Sequence, residues 1–315
     1  MSTTTRPESP PRFEFSDALE LEALKRRRVT KDTDAATAFP FTVQFAHDVA
    51  PTARTSSPTV SPASSSEDRR QWLDRLSVTP EQAVEISKYV QGSSEWLQSR
   101  VGRITASNFG AAAGLNTFMS PRALLKQLLW GGFHGCEATR WGNDNELNGK
   151  LSYLCNKREE FGITEPGVQP DPTATGEGED HVTAIEVEDT GLVINPVRSW
   201  MGNSPDGIIH LTYHSGRKER GLLEIKCPFK KAFYTPDPVP VYYYAQIQGT
   251  MGNLELPWCD FVVWTPSGTQ ITRVPFDPVF WNDQLLPKVS HFYFETYVPL
   301  AIRKQKGLLA TGKIV

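Results

Sequence analysis

Four short β-like segments follow one another between residues 183 and 228, and they constrain the fold more than any other feature. Gly, Asn and Asp residues separate them, a pattern typical of an antiparallel meander. The segments read TAIEVE, GLVINPV, DGIIHLTYH and GLLEIKCP. A helical segment at 240–251 and a strand pair, CDFVVWTP and TQITRVPF, come after them. With helices ahead of the meander, this order predicts an α/β (α+β) fold in which helices flank a central mixed β-sheet.

Helical signals dominate the remainder of the chain from residue 67 onward. Pro80 must begin a new helix or kink the previous one, because proline cannot continue an intrahelical hydrogen-bond ladder. Ser120 and Pro121 form a capped helix start, and Gly162 is a helix stop. An interruption is expected at Pro287 in the last long helix. The helical segments are 68–90, 120–131, 143–162 and 279–306.

The composition changes sharply near residue 67. Residues 1–66 are rich in Ser, Thr and Pro and poor in aromatics, which predicts a mostly flexible tail ahead of a folded domain at 67–315. Within the tail, SDALELEALKRRR is a short helix candidate with Ser16 as its N-cap. The Lys25–Arg28 cluster has two readings, a nuclear-import or DNA-binding signal and a solvated basic helix end. The acidic stretch 164–180 predicts a surface insertion.

Charge, cysteine content and hydropathy exclude several classes of protein. The formal net charge is −3, so binding to nucleic acid would require locally concentrated positive charge. The four cysteines show neither zinc-ligand spacing nor a disulfide framework. No apolar run reaches the roughly 20 residues of a membrane helix, and no secretory signal begins the chain. These features predict an intracellular, soluble protein without a membrane partner.

Two charged residues interrupt the apolar segment LLEIKCPF, and an aspartate stands in the strand before it. Glu224 and Lys226 are two apart on a strand, so their side chains emerge on the same face. Asp206 opens the preceding strand, which a hairpin can bring alongside. Two carboxylates converging on one point suit Mg²⁺ or Mn²⁺, and the lysine adds a charge for a phosphate. The alternative is a solvent-facing ion pair, but charges in a buried strand need a reason.

A second cluster lies upstream, in WLQSRVGRITASNFG. Thr105 and Ser107 are candidates to cap the following helix, whose positive end would then face outward. Arg100 and Arg103 lie close to that helix start, and arginine beside a helix N-terminus suits a phosphate. A capped helix with surface arginines explains the same residues equally well.

Five motifs in a fixed order give the chain a family resemblance. The chain resembles lambda-exonuclease-like and YqaJ-type viral recombination nucleases of the PD-(D/E)XK superfamily, from about Glu95 to about Met251. The motifs are WLQSRVGRITAS, RWGNDNE, WMGNSPDG, LLEIKCPF and YYYAQIQGTM. The resemblance implies the restriction-endonuclease-like core of that superfamily.

The resemblance also implies roles for individual residues. Asp206 and Glu224 correspond to the metal-binding carboxylates, joined by the backbone carbonyl of Ile225, and Glu146 to a helical glutamate that helps hold the metal. Lys226 corresponds to the catalytic lysine that orients or activates the attacking water. Gln246, rather than Gln248, corresponds to the glutamine that completes the catalytic set. The positions that grip a DNA 5′-phosphate correspond to Arg100 and Ser107, with Arg103 beside them.

The implied activity is Mg²⁺-dependent exonucleolytic hydrolysis from the ends of linear double-stranded DNA, with Mn²⁺ as a substitute ion. The expected direction is 5′ to 3′, in recombination or DNA processing. Two alternatives stay open at this point, an endonuclease on the same fold and a non-catalytic DNA-end-binding module. The family also implies a homotrimeric ring and a single-strand annealing protein as partner.

Basic residues flank the predicted catalytic strands and are candidates for contact with the sugar-phosphate backbone. A solvated hairpin tip is the alternative for the first three of them. The residues are Arg217, Lys218, Arg220, Lys230 and Lys231.

Overall fold

A computed structural model describes residues 65–131, 136–163, 180–229 and 238–312. All of these residues belong to the second of two compact units into which the chain divides, Thr59–Val315. The tail, its predicted helix and most of the acidic insertion lie outside the described residues, as do Lys230 and Lys231.

Within the described residues, six α-helices precede the main sheet. Their bounds are α1 Ser66–Asp74, α2 Pro80–Ser87, α3 Ser94–Ser99, α4 Phe109–Ala112, α5 Pro121–Trp130 and α6 Glu137–Glu160. Pro80 begins a new helix behind the N-cap Thr79, as predicted. Ser120 caps α5 through the amide of Ala123, and Gly162 lies just beyond the end of α6 with a φ of 64°. These predicted helix boundaries are confirmed.

A five-stranded mixed sheet forms the centre of the unit, in the order β2-β4-β5-β6-β7. All neighbouring pairs are antiparallel except β5 and β6, which are parallel. The parallel pair requires a crossover, and helix α7 supplies it. The bounds are β2 Val182–Glu188, β4 Gly207–Tyr213, β5 Lys218–Lys226, α7 Val241–Leu254, β6 Trp258–Thr265 and β7 Gly268–Pro275.

The two faces of the sheet are covered by different helices. On one face, Tyr153 of α6 packs with Leu223 and Ile225 of β5. On the other, Ile247 of α7 packs with Leu222 and with Phe261 of β6. The predicted α/β class with helices flanking a central mixed sheet is therefore confirmed.

The segment GLVINPV does not form the predicted strand. Only Val193 makes a bridge, to Asn203, and a 3₁₀ helix follows at Pro196–Arg198. Asn195 accepts a hydrogen bond from the amide of Val197 and so begins that helix. Proline has no amide hydrogen for a ladder, which explains why the apolar pattern fails to make a strand here.

Two further strands are too short for a sequence pattern to predict. They are β1 Ile104–Thr105 and β3 Met201–Gly202, which pair in parallel. Because β3 immediately precedes the segment that carries Asp206, this pair joins the 100–107 region to the main sheet.

The C-terminal segment is helical, as predicted. Two π-helical stretches, and not a break in the helix, interrupt its α-helical geometry. These are Phe280–Leu285 and Phe292–Tyr297, and they alternate with α8 Leu286–His291 and α9 Val298–Gln305. Pro287 lies in the first turn of α8, directly after the first π-helical stretch. Among the described helices, none combines the length and the apolar character needed to cross a bilayer.

Candidate active site

Glu224 and Lys226 lie at the C-terminal end of β5, and their side chains face α7. Side chains alternate along a strand, so these two residues share a face with Leu222, which packs against α7. Glu224 is only 2% exposed, whereas about a quarter of the Lys226 side chain is exposed. The structure therefore places the predicted pair on one face, at the C-terminal end of a buried strand.

Asp206 reaches the same end of β5 from the neighbouring chain segment. Gly207 pairs with Leu223, so Asp206 lies next to Glu224 across the two strands. The amide of Ile225 donates a 2.6 Å hydrogen bond to Oδ2 of Asp206. This bond fixes the carboxylate beside β5 and leaves the carbonyl of Ile225 in the same neighbourhood.

One oxygen of Glu224 receives two side-chain contacts. Nε2 of Gln246 donates a 2.6 Å hydrogen bond to Oε1, and the ammonium of Lys226 forms an ion pair with the same atom. Among the described residues, no hydrogen bond reaches Oε2 of Glu224, so that oxygen is available to a ligand. Lys226 also lies 5.2 Å from the ring centre of Tyr243.

Burial sets the electrostatics of the site. It raises the pKa of Glu224 to about 7, although Lys226 opposes the shift, and the charges of Asp206 and Glu146 add to it. Burial likewise raises the pKa of Asp206, against the charge of Lys226 and the Ile225 amide. For Lys226, burial alone would lower the pKa, but the two carboxylates raise it. The lysine therefore stays protonated, while the carboxylates hold incompletely balanced negative charge.

Helix α6 carries two further charges to the site. It passes close to β5 at Gly149, where a Cβ atom would lie 2.7 Å from Cγ2 of Ile225. The negative charge of Glu146, three residues earlier, raises the pKa of both Glu224 and Cys227. Lys150, one helical turn after Glu146, is buried and bonds Asp189 at 2.5 Å, and its charge lowers the pKa of Asp206. Sequence reasoning missed Lys150, although its i+4 spacing from Glu146 was a signal.

The chemistry of this donor set fits a hard divalent cation. Carboxylate and carbonyl oxygens are the ligands that Mg²⁺ prefers, and buried carboxylates with raised pKa values favour an added positive charge. Within the described residues, no three His, Cys, Asp or Glu side chains are grouped as a ready-made metal cluster. A metal would therefore depend on Asp206, Glu224 and the Ile225 carbonyl, with Glu146 approaching from α6.

Gln246 and Gln248 have different surroundings, although only Ile247 separates them in the sequence. Gln248 is fully buried, donates to the carbonyl of Pro275 and accepts from the amide of Asp277. Gln246 instead bonds Glu224. Gln248 connects α7 to the end of β7, whereas the place of Gln246 in a catalytic set stays a prediction.

Arg100 lies in a group of hydroxyls beside the carboxylates. Its guanidinium lies 4.1 Å from the ring centre of Trp96 and reaches the hydroxyls of Ser204 and Thr105, each at 3.4 Å. Ser107 contacts Thr105 at 3.3 Å. In the described part of the chain Arg100 has no carboxylate partner, and burial lowers its pKa. A cation held by hydroxyls and an indole can bind an anion.

Ser204 links this group to the carboxylates. It accepts a 3.1 Å hydrogen bond from the indole nitrogen of Trp96 and stands two residues before Asp206. Consecutive Cα atoms are about 3.8 Å apart, so the two sites are immediate neighbours. Sequence reasoning did not select Ser204, although it belongs to the WMGNSPDG motif.

Thr105 and Ser107 do not cap the helices that follow them. Neither the 3₁₀ turn Ala106–Asn108 nor α4 has a side-chain cap, because the hydroxyl of Thr105 instead accepts from Asn108 and Arg100. The predicted caps are wrong. A helix of four residues also has too small a dipole for an anion site, so any anion would depend on the side chains.

Arg103 faces inward. It is 8% exposed, and its two terminal nitrogens donate to the carbonyls of Ser99 and Leu76 at 2.8 and 2.6 Å. These bonds hold α3 and the end of α1 together, so its terminal nitrogens are already engaged within the fold.

The basic hairpin tip lies far from the carboxylates. Lys218 begins β5 and Glu224 lies near its end, about 20 Å away at roughly 3.3 Å per residue. Arg217 is bound to Asp180 and Glu219. The geometry favours the solvated-tip reading for this part of the basic set.

Fold and site together define an α/β protein with a buried carboxylate-lysine cluster at the end of a central strand. Residues 95–253 match the model of the YqaJ-like viral recombinase domain. The chain therefore belongs to the YqaJ-like viral recombinase domain family, as the sequence motifs predicted.

Comparison with individual proteins gives more distant likenesses. A mimivirus protein, "Uncharacterized protein R354" of Acanthamoeba polyphaga mimivirus, is 24% identical over 56% of this chain, and the match spans only 29% of that relative's length. The alkaline exonuclease LHK-Exo of Laribacter hongkongensis is 23% identical, with a TM-score of 0.47 over 68% of this chain and 97% of that one. Its complex with dAMP gives 21% identity and a TM-score of 0.48 over 69% and 100%.

Proposed function

We propose that this protein is a Mg²⁺-dependent DNA exonuclease that hydrolyses phosphodiester bonds from the ends of linear double-stranded DNA, in the 5′ to 3′ direction. The observation that carries the proposal is the placement of the partly buried Asp206 beside the buried Glu224, whose carboxylate also contacts Lys226 and Gln246, in a member of a viral recombinase family. Recombination and DNA processing are the settings that the family suggests.

A divalent ion would be held by Asp206, Glu224 and the carbonyl of Ile225, with Glu146 completing the set. When bound, Mg²⁺ supplies a counter-charge for the phosphate and lowers the pKa of water. Mn²⁺, also a hard cation, is expected to substitute. The unused Oε2 of Glu224 and the raised pKa values of both carboxylates support this assignment.

The chain's own residues would position the reacting groups. Lys226 stays protonated, about a quarter exposed, and can donate a hydrogen bond to the attacking water or to a phosphate oxygen. Gln246 fixes the orientation of Glu224 through the shared oxygen. Lys150 supplies positive charge that lowers the pKa of Asp206, against the larger effect of burial. These roles need no ATP, since the sequence lacks a phosphate-binding loop of the ATPase type.

The 5′ to 3′ direction would come from the group formed by Arg100, Ser107 and Ser204. Arginine and hydroxyl groups bind a terminal phosphate well, and Ser204 stands two residues from Asp206. A 5′-phosphate held there would place the first phosphodiester bonds at the carboxylates. Arg103 would support this group through the backbone it holds rather than through a direct contact.

The test is digestion of a 5′-phosphorylated linear duplex with Mg²⁺, beside the same sequence as a closed circle. An exonuclease with the proposed direction degrades only the linear form and releases a 5′ label early and a 3′ label late. Cutting of the circle would identify an endonuclease instead. Binding of DNA ends without cleavage in Mg²⁺ or Mn²⁺ would identify an end-binding module.

Assembly and partners remain predictions from the family. A homotrimeric ring would give about three times the chain mass of 35.2 kDa in light scattering. A single-strand annealing protein as partner would be tested by co-purification with and without DNA. A nuclear location, suggested by Lys25–Arg28, would be tested by replacing that cluster in a fluorescent fusion.

A further inference from the structure

Phe118 exposes a large aromatic ring at the turn between α4 and α5, and two tyrosine rings separate it from Lys226. The residue is 82% exposed, the highest value among the described large apolar residues that are exposed. It stands between α4, which follows the Arg100 group, and α5. A single exposed apolar residue is ordinary in itself, so its surroundings decide whether the ring has a use.

Hydrogen bonds fix the backbone of the segment that carries Phe118. Oδ1 of Asn116 accepts hydrogen bonds from the amides of Phe118 and Met119, at 2.8 and 3.1 Å. The amide of Leu115 bonds the carbonyl of Gly110 at 2.7 Å, and Ser120 caps α5 one residue further on. These hydrogen bonds fix the backbone of the turn. The main chain that carries the exposed ring is therefore already ordered in the folded protein.

An aromatic series connects this ring to the catalytic lysine. Phe118 lies edge-on to Tyr242, with ring centres 5.4 Å apart. The ring centres of Tyr242 and Tyr243 are 4.4 Å apart, and the ring centre of Tyr243 lies 5.2 Å from the ammonium nitrogen of Lys226. Helix α4 lies against the same place, since a Cβ at Gly110 would be 3.2 Å from the backbone of Tyr242. Two tyrosine rings thus link the exposed ring to Lys226.

We propose that Phe118 is a stacking platform for a nucleobase of the DNA strand being hydrolysed. The inference rests on the proposed nuclease function. Every base presents an apolar π face, so one exposed aromatic ring can hold any base without reading sequence. A base stacked on Phe118 would hold the strand near its end while the phosphate lies at Lys226 and the carboxylates. The planes of the Phe118 and Tyr242 rings are 84° apart, so this contact covers at most one face of the Phe118 ring and leaves the other for a base.

The test is a scan with abasic sites. Binding of a 5′-phosphorylated duplex is measured by fluorescence anisotropy in Ca²⁺, chosen to limit hydrolysis. One abasic site is placed in turn at each of the first four positions from the 5′ end, and a second series starts from the 3′ end. Wild-type protein should lose about 5- to 150-fold in affinity at one position, the range for loss of one stacked base.

Variants assign that loss to the ring. Phe118→Ala should bind the intact duplex as weakly as wild type binds the sensitive abasic duplex, and should lose nothing further at that position. Phe118→Trp should keep the wild-type pattern. Leu308→Ala, at a 63% exposed residue near the C-terminus, is the matched control and should equal wild type.

Three outcomes would overturn the inference. One is an unchanged abasic pattern in Phe118→Ala while wild type still degrades linear DNA, which would leave the nuclease function intact. Another is a change only in molar mass by light scattering, which would assign the ring to contact between copies of the chain. A wild-type protein that neither binds nor cleaves DNA would remove the proposed function and this inference together.

Discussion

Gln246 donates a 2.6 Å hydrogen bond to Oε1 of Glu224, the same oxygen that Lys226 contacts. This relationship joins the crossover helix α7 to the end of β5 that carries Glu224 and Lys226. It concentrates both supporting contacts on one oxygen and leaves the other oxygen of a buried carboxylate for a ligand. The orientation of Glu224 therefore depends on a side chain from a different element.

Replacing Gln246 should impair catalysis with little effect on stability. We expect Gln246→Ala to lower kcat or apparent Mg²⁺ affinity about 10- to 100-fold, the usual effect of losing a residue that orients a metal-binding carboxylate. Steady-state kinetics across a Mg²⁺ titration measure this. Gln248→Ala is the matched comparison.

Gln248→Ala should show the opposite behaviour. Its amide is fully buried and bonds both the carbonyl of Pro275 and the amide of Asp277, so truncation leaves two buried backbone groups unpaired. We expect a loss of about 2–4 kcal/mol in the free energy of unfolding. Chemical denaturation measures it. If Gln248→Ala lost activity while keeping full stability, the assignment of the two glutamines would be reversed.

The stability of the metal-free protein should fall as pH rises from about 4.5 towards 7. Burial raises the pKa of Glu224 from 4.5 to about 7, so the folded state binds more protons than the unfolded state across this window. Stability then decreases with pH, on the order of 1–3 kcal/mol for this group. The raised pKa of Asp206 acts in the same direction.

Urea denaturation in EDTA at pH 5 and pH 7.5 measures this effect. Glu224→Gln should reduce the difference in stability between the two pH values, because it removes the Glu224 carboxyl and keeps all other titrating groups. Saturating Mg²⁺ should restore wild-type stability at pH 7.5 and leave the variant unchanged. Equal pH dependence in both proteins would contradict the burial argument.

Lys226 should not tolerate arginine. The lysine ammonium packs against Glu224 and Tyr243 at the end of a buried strand, and a guanidinium is larger and planar. We expect Lys226→Arg to lose about 10²- to 10⁴-fold in kcat, the range for a group that assists proton transfer. Lys218→Arg, at the opposite end of the same strand, should keep wild-type activity. An active Lys226→Arg would show that charge alone is sufficient.

Arg100 and Arg103 should separate function from stability. Arg100→Ala should remove the preference for a 5′-phosphorylated end over a 5′-hydroxyl end, measured as a ratio of initial rates. Arg103→Ala should keep that preference but unfold more easily by about 2–4 kcal/mol, since two backbone carbonyls lose their donor. If Arg103→Ala lost the end preference but kept full stability, Arg103 would belong to the proposed 5′-phosphate site.

Much of the fold could be predicted because its signals are local. Ser120, Pro121 and Gly162 mark helix ends through backbone chemistry, and the alternation in LLEIKCPF places Glu224 with Lys226. The prediction of a strand at GLVINPV was wrong because the apolar alternation takes no account of the proline that ends strand pairing. The π-helical stretches were also beyond the pattern, since a periodicity near 3.6 does not distinguish the wider helix.

The site could be predicted in part for the same reason. Asp206, Glu224 and Lys226 come together because strand pairing follows from sequence order. The inward direction of Arg103 depends on carbonyls of Ser99 and Leu76, which no local pattern reveals. Ser204 stands in a motif and Lys150 at i+4 from Glu146, but their partners are distant in the sequence, so tertiary contacts were needed to identify them. The partners are Trp96 and Arg100 for Ser204 and Asp189 for Lys150.

The most direct test of the account compares hydrolysis of linear duplex DNA by wild type and by Glu224→Gln, with and without Mg²⁺. The substitution keeps the size of a buried side chain and removes only its charge, so the variant should fold with unimpaired stability in EDTA. We expect hydrolysis by wild type in Mg²⁺, none in EDTA, and a rate at least about 10³-fold lower for the variant. Comparable rates for both proteins, or hydrolysis that persists in EDTA, would contradict it.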